Sequence, residues 1–155
     1  MHMSKLHICH IVRDNIGGAP RIADLIVSAQ VRAGYKVSVI ALANISQRLK
    51  LFESTDEVVY LKSTSHIISA IKLGEKIKKL KPNIIISHCT YATRVTYLYQ
   101  LIGGKFKIPY IGYVQNNIEA EIESCYSKGF KMLFRKIQLN FSIAAFQNAK
   151  ALVFV

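Results

Sequence analysis

Three short stretches of this 155-residue sequence combine residue types suited to holding a ligand. Arg13 to Arg21 sets two arginines around the pair Gly17-Gly18, His88 to Tyr91 opens on a histidine, and Gln115 to Asn117 is a run of three amides. Gly17-Gly18 precedes a helical pattern, and a helix N-terminus offers backbone N–H groups and a dipole that favour an anion. A tight turn that needs positive φ accounts for the pair equally well. The first stretch lacks G-x-G-x-x-G, so the nicotinamide and flavin fingerprint is absent. The three cysteines, Cys9, Cys89 and Cys125, are odd in number and show no C-x-x-C spacing. They read as reduced thiols rather than as a disulfide frame, and the five histidines do not join them at metal-ligand spacing. No metal and no cofactor are expected.

The elements that must position these stretches alternate. Leu6 to Val12 is rich in branched apolar residues, reads as a strand, and ends in the turn Asp14-Asn15-Ile16-Gly17-Gly18. Pro20 suits the first turn of a helix, Ile22, Leu25, Ile26, Ala29 and Ala33 recur at helical spacing, and Gly34 stands where a C-cap belongs. Lys36 to Leu42 is the second strand and Glu57 to Leu61 the third. Ile67 to Leu80 is predicted as a helix with Ile67, Ala70, Ile71, Leu73, Ile77 and Leu80 inward and Lys72, Lys76 and Lys79 outward. Pro82 ends it before Ile84-Ile85-Ile86, an all-apolar strand of the kind buried on both faces. A helix from about Tyr91 to Ile102 stops at Gly103-Gly104, and Pro109 introduces the strand Tyr110 to Val114. A long amphipathic stretch, Phe130 to Gln147, leads into a last strand, Ala151 to Val155. The pattern predicts an α/β domain with a doubly wound parallel sheet, Rossmann-like, whose ligands bind at the carboxyl ends of the strands. All three candidate stretches fall there. The closing strand has nothing after it, so residues 1–155 are expected to form a single N-terminal domain that stops short of a further one.

Hydrophobic residues make up 51% of the chain and charged residues 19%, which excludes a disordered tail. The net charge of +12 calls for an anionic partner: nucleic acid, phospholipid head groups, sugar nucleotides or lipid phosphates. Against a nucleic-acid partner, the lysines spread over helix faces and no recognition module or aromatic ribbon appears. No apolar run approaches the ~18 residues of a membrane span, and the start lacks a signal-peptide pattern. A cytoplasmic location is expected, with attachment to the inner face of the membrane only from its surface.

Four motifs add a family resemblance. Ile11-Val12, Gly17-Gly18-Ala19-Pro20-Arg21 and Ala33-Gly34-Tyr35-Lys36-Val37 resemble the opening of the retaining GT-B glycosyltransferases of family four, with their "GGAER" turn and "GHEV" strand. Lys81-Pro82-Asn83-Ile84-Ile85-Ile86-Ser87-His88 is similar to the family's "KPDIIHTH", and Ile108-Pro109-Tyr110-Ile111-Gly112-Tyr113-Val114-Gln115 to its "VPVIYTVH". Asn148 to Val155 resembles the "ADAVIAVS" strand that closes the acceptor-side domain. The resemblance implies transfer of a sugar from a nucleotide sugar, with retention of configuration and no required metal, to a glycan or lipid-linked acceptor in surface polysaccharide synthesis. It implies that Gly17, Gly18 and Arg21 lie beside the donor diphosphate and the acceptor. It further implies that His88, Gln115 and Asn116 face the cleft. Gln115 departs from the family pattern, where a histidine ends the fifth strand, and Ile86 replaces the first histidine of "HTH". A second Rossmann domain binds the nucleotide in such enzymes. None of these 155 residues corresponds to it, so the chain alone is expected not to catalyse transfer.

Phe130, Leu133, Phe134, Ile137, Phe141, Ala144 and Ala145 form an apolar stripe, read as packing beneath the sheet toward its C-terminal half. Ser127 to Lys136 mixes bulky apolar residues with Lys128, Lys131, Arg135 and Lys136, a profile that suits an anionic bilayer surface as well as a solvated face. Lys128, Lys131, Phe134 and Arg135 are the candidate membrane contacts. Three rival readings follow: an acceptor and membrane subunit of a two-chain glycosyltransferase, a basic nucleic-acid-binding α/β domain, and a degenerate, inactive domain, to which the missing histidine at Gln115 points.

Overall fold

The computed structural model describes residues 5–14, 18–43, 51–55, 57–63, 65–103, 108–114 and 130–154, without the side chains of 130–135 and 154. Within these, six strands form one sheet: β1 (His7–Val12), β2 (Lys36–Ala41), β3 (Glu57–Tyr60), β4 (Ile84–His88), β5 (Tyr110–Val114) and β6 (Ala151–Phe154). All neighbours run parallel, in the order β3-β2-β1-β4-β5-β6. The chain winds outward from β1 through β2 to β3, returns to β4, and continues through β5 to β6. The doubly wound α/β expectation therefore holds.

Among the described residues four helices cover the sheet: α1 (Gly18–Arg32), α2 (His66–Leu80), α3 (Cys89–Gly103) and α4 (Phe130–Gln147). On one face Ala23 and Val27 of α1 pack with Val12, Val37, Val39 and Ala41. On the other, Ala70, Leu73 and Ile77 of α2 and Ala92, Val95 and Tyr99 of α3 pack with Cys9, Ile11, Ile40, Ile85 and Tyr110. Right-handed crossovers demand this division, because the winding direction reverses after β3. α4 lies beside α3: Phe141 meets Tyr97 at 5.4 Å between ring centroids, and the Tyr110 hydroxyl donates to the Ala145 carbonyl.

Local chemistry explains the boundaries. Gly34 takes φ +86°, its N–H bonds the Val31 carbonyl, and Tyr35 N–H bonds that of Gln30. That pair of bonds closes a helix with a Schellman motif, which needs a left-handed residue at the glycine position. α2 ends at Lys81, also left-handed, before Pro82. The Lys81-Pro82-Asn83 motif has a structural task here. Asn83 Oδ1 accepts from His7 N–H at 2.8 Å and Asn83 N–H donates to His7 O at 2.8 Å, clamping the start of β1 to β4.

Three helix-face expectations differ from the structure. Ile67 and Ile71 are 60% and 50% exposed rather than inward, while Ser69, Ala70, Leu73 and Ile77 are buried. In α1, Leu25 is 69% exposed and the buried positions are Pro20, Ala23 and Val27. Ile137 of α4 is 58% exposed, where Ser142 and Ala145 are buried. The cause is shared. Small residues let a helix approach the sheet or its neighbour closely, so the buried stripe runs through Ala23 of α1, Ser69 and Ala70 of α2, and Ser142 and Ala145 of α4, and Leu25, Ile67, Ile71 and Ile137 stand outside it. Buried Ser69 and Ser142 satisfy their hydroxyls on the carbonyls of Ser63 and Gln138.

Among the described residues no helix is long and apolar enough to cross a membrane. Cys9 and Cys89 are free thiols; Cys125 lies outside the described residues.

Candidate functional site

The reversal of winding leaves a crevice where β1 and β4 lie side by side and their chains depart in opposite directions. Ligands of open parallel sheets bind at such a point, beyond the carboxyl ends of the strands. A cavity of about 310 Å³ sits there, lined by Val12, Arg13, Asp14, Ala19, Pro20, His88, Cys89, Thr90, Tyr91 and Arg94. Its volume is at the lower end of the small-molecule range, about 300–1,000 Å³.

The floor comes from β4 and the turn after it. His88 ends the strand and Cys89 begins α3 with no residue between them. That turn requires φ +72° at Cys89, a left-handed value few side chains tolerate. His88 is 1% exposed, yet it lines the cavity. Its ring lies between those of His10 and Tyr113, with centroids 5.1 and 5.0 Å away and interplanar angles of 17° and 29°. His88 Nε2 is 2.8 Å from His10 Nδ1, and His10 Nε2 is 2.7 Å from Gln30 Oε1 on α1. His88 Nδ1 is buried and has no hydrogen-bond partner among the described residues. Leaving such an atom unsatisfied costs about 1–3 kcal/mol, a cost commonly tolerated where a ligand supplies the partner.

Both rings are neutral at physiological pH. Burial lowers His10 from 6.5 to about 4, against a smaller upward pull from Gln30. Burial, and then the proximity of His10, lower His88 to about 3. His88 is therefore a poor proton acceptor for catalysis and a good hydrogen-bonding group. Burial also pushes the Cys89 thiol up, which keeps it protonated and unreactive.

The mouth is basic. Arg13 stands over the Tyr91 ring with its guanidinium carbon 5.3 Å from the centroid, and its Nε is 3.6 Å from Asp14 Oδ2. Arg94 anchors its Nε on Ser142 Oγ at 2.6 Å, which ties the cavity wall to α4. His66, the first residue of α2, meets Tyr91 at 4.4 Å. Burial, then Arg94 and Arg13, hold His66 below its ordinary value, so two arginine charges dominate this rim. Helices α1 and α3 begin beside the cavity with no acidic residue in their first turns, so their positive dipole ends add to the arginines, with Asp14 the carboxylate among the lining residues. Among the described residues no group of three histidine, cysteine or acidic side chains could hold a metal ion.

Of the residues singled out in the sequence, His88 lies in the cavity and Gly18 opens α1 next to it. Arg21 is exposed on α1 and is not among the lining residues. Gly17, Gln115, Asn116 and Lys128 lie outside the described residues, as do the side chains of Lys131, Phe134 and Arg135. Sequence reasoning missed His10, Gln30 and Arg94. Only a polar residue inside the apolar run of β1 could have signalled His10; Gln30 and Arg94 read as ordinary helix-surface residues.

No protein-family model and no curated protein matches this sequence. Solved structures do match in fold. Sucrose-phosphate synthase from Thermosynechococcus elongatus aligns over 96% of the chain with a TM-score of 0.65 and 13% identity. TcCGT1 in complex with UDP aligns over 97% with a TM-score of 0.61 and 12% identity. Phytolacca americana UGT2, complexed with UDP-2fluoro-glucose and pterostilbene, aligns over 99% with a TM-score of 0.57 and 13% identity. The chain spans 42%, 44% and 48% of those three proteins, less than half of each. A likeness at such identities speaks for architecture alone, and a shared fold hosts many functions. The chain has the Rossmann-like α/β fold of one domain of the GT-B glycosyltransferases.

Proposed function

We propose that this chain is the acceptor-side domain of a glycosyltransferase that takes its sugar from a nucleotide sugar. The observation that carries the reading is the cavity at the β1–β4 switch point. It combines a buried neutral histidine, suited to a sugar hydroxyl, with Arg13 and Arg94, suited to a phosphate. The structural neighbours support it, two of them having been solved with UDP or a UDP sugar and one of these with pterostilbene alongside. In this reading a second Rossmann domain, on another segment or another chain, holds the nucleotide. The acceptor is a glycan or lipid-linked sugar of the surface-polysaccharide kind, and the chemistry is the retaining transfer of family four. Gly17, Gly18, Gln115 and Asn116 complete the substrate contacts.

Membrane contact belongs to the same proposal. Exposed Lys136 and Ile137 continue the mixed basic and apolar segment Ser127–Lys136 on α4, the profile of an interfacial helix.

Retention of the protein on a panel of neutral glycans and polyprenyl-diphosphate sugars, displayed on liposomes with and without anionic lipid, tests the reading. Saturable retention by one acceptor class is expected, stronger on anionic liposomes. Arg94→Ala should weaken it about tenfold or more, the usual cost of a lost charged hydrogen bond. Retention that tracks anionic lipid alone, with no dependence on the sugar, would contradict acceptor binding.

A further inference from the structure

Two imidazoles joined by one N···N hydrogen bond must divide the roles: one ring nitrogen donates and the other accepts. The partner at the far end of the chain settles which. Gln30 presents Oε1 to His10 Nε2 at 2.7 Å, and a carbonyl oxygen only accepts. His10 Nε2 therefore carries the hydrogen. A neutral ring has one N–H, so His10 Nδ1 is a lone pair and must accept from His88 Nε2–H across the 2.8 Å contact. His88 has then used its only hydrogen, and its Nδ1 is left as a bare lone pair in a cavity-lining residue that is 1% exposed. The charged groups at the mouth are anchored elsewhere, Arg13 by Asp14 and Tyr91 and Arg94 by Ser142, and among the described residues none is bonded to His88 Nδ1.

We propose that Gln30 and His10 are positioning residues that set the tautomer of His88, so that its Nδ1 accepts a hydrogen bond from a ligand hydroxyl in the β1–β4 cavity. The direction of the whole chain is dictated from α1, two side chains away from the ligand. The class of ligand is a sugar-type polyol, and that choice of class rests on the glycosyltransferase reading; the tautomer does not. A fully ionised phosphodiester or sulfate has no proton to offer a lone pair, so such an anion belongs at the arginine-lined mouth and a hydroxyl at the floor. Such a site discriminates strongly, because an analogue lacking the hydroxyl leaves the buried lone pair unpaired.

Ring-nitrogen NMR of the histidine-labelled protein at pH 7 tests this directly. The expected spectrum shows both rings as Nε2–H tautomers, with His88 Nδ1 unprotonated. A His88 Nδ1–H tautomer overturns the proposal while leaving the glycosyltransferase reading untouched, since that reading stands on the cavity and on acceptor retention. Gln30→Leu should scramble the His88 tautomer, and Gln30→Glu, which keeps an acceptor oxygen, should restore it. A purely structural glutamine would change thermal stability in both variants and leave the tautomer alone. Adding methyl α-glucoside should shift His88 Nδ1 as it becomes hydrogen-bonded, and inorganic sulfate, which has no proton to donate, should not. A response to sulfate alone, or no response to the glucoside, overturns the hydroxyl assignment.

Discussion

Replacing Leu73 by alanine is expected to lower the unfolding free energy by about 2–5 kcal/mol. Ile71→Ala, two residues earlier on α2, should change it by no more than about 0.5 kcal/mol. Leu73 is fully buried in the cluster that joins α2 and α3 to Cys9, Ile11, Ile40 and Ile85, so its removal leaves a cavity among strands that cannot collapse into it. Ile71 is half exposed, and alanine's higher helix propensity offsets the little packing it loses. Urea denaturation of the two variants checks the rotation of the helix. Equal losses would mean that α2 buries the branched stripe instead.

The second large effect is a loss of stability in mild acid. In the folded chain His10 sits at about 4 and His88 at about 3, each against an ordinary value of 6.5. Both values are lowered, so below pH 6.5 the unfolded chain binds protons that the folded chain refuses. Stability is thus complete above about pH 6.5 and falls as the pH drops toward 4 and then 3. Between pH 7 and 4.5 each ring contributes about 2–3 kcal/mol of loss, since a tenfold change in proton affinity is worth about 1.4 kcal/mol. Denaturant midpoints across that interval measure the slope, in a range where most carboxylates are still ionised. Replacing both histidines by glutamine should flatten it. A slope unchanged in that double variant would place the acid sensitivity elsewhere.

The two effects mark where the sequence was readable. Strand positions follow from contiguous apolar runs, since a parallel strand covered on both faces tolerates little else: β1, β2 and β4 are buried almost throughout. The end of α1 was legible because its Schellman motif demands a left-handed residue and Gly34 supplies it. Helix faces were not. Helical periodicity admits two neighbouring stripes in α1 and α2, and only packing distance chooses the one carrying Ala23 or Ser69 over the one carrying Leu25 or Ile67.

The site divides along the same line. His88 was legible because it ends an apolar strand at the sheet's carboxyl edge. His10 was hidden, since its importance depends on β1 pairing with β4, where His10 stands opposite Ile86, two residues before His88. Gln30 comes from the opposite end of α1 and enters only through that pairing. Arg94 is one of 21 basic residues, and nothing in the sequence shows its guanidinium anchored on α4 beside the cavity mouth.

The central claim is a division of labour, with the acceptor on this domain and the nucleotide elsewhere. Equilibrium titration of this chain with UDP- and GDP-sugars tests it most directly. The account predicts no saturable binding tighter than about 1 mM, a free energy of only about 4 kcal/mol, because a cavity with two arginines at its mouth can grip little beyond a phosphate. Micromolar binding of either nucleotide sugar to this chain alone would contradict it and move the donor site into the β1–β4 crevice.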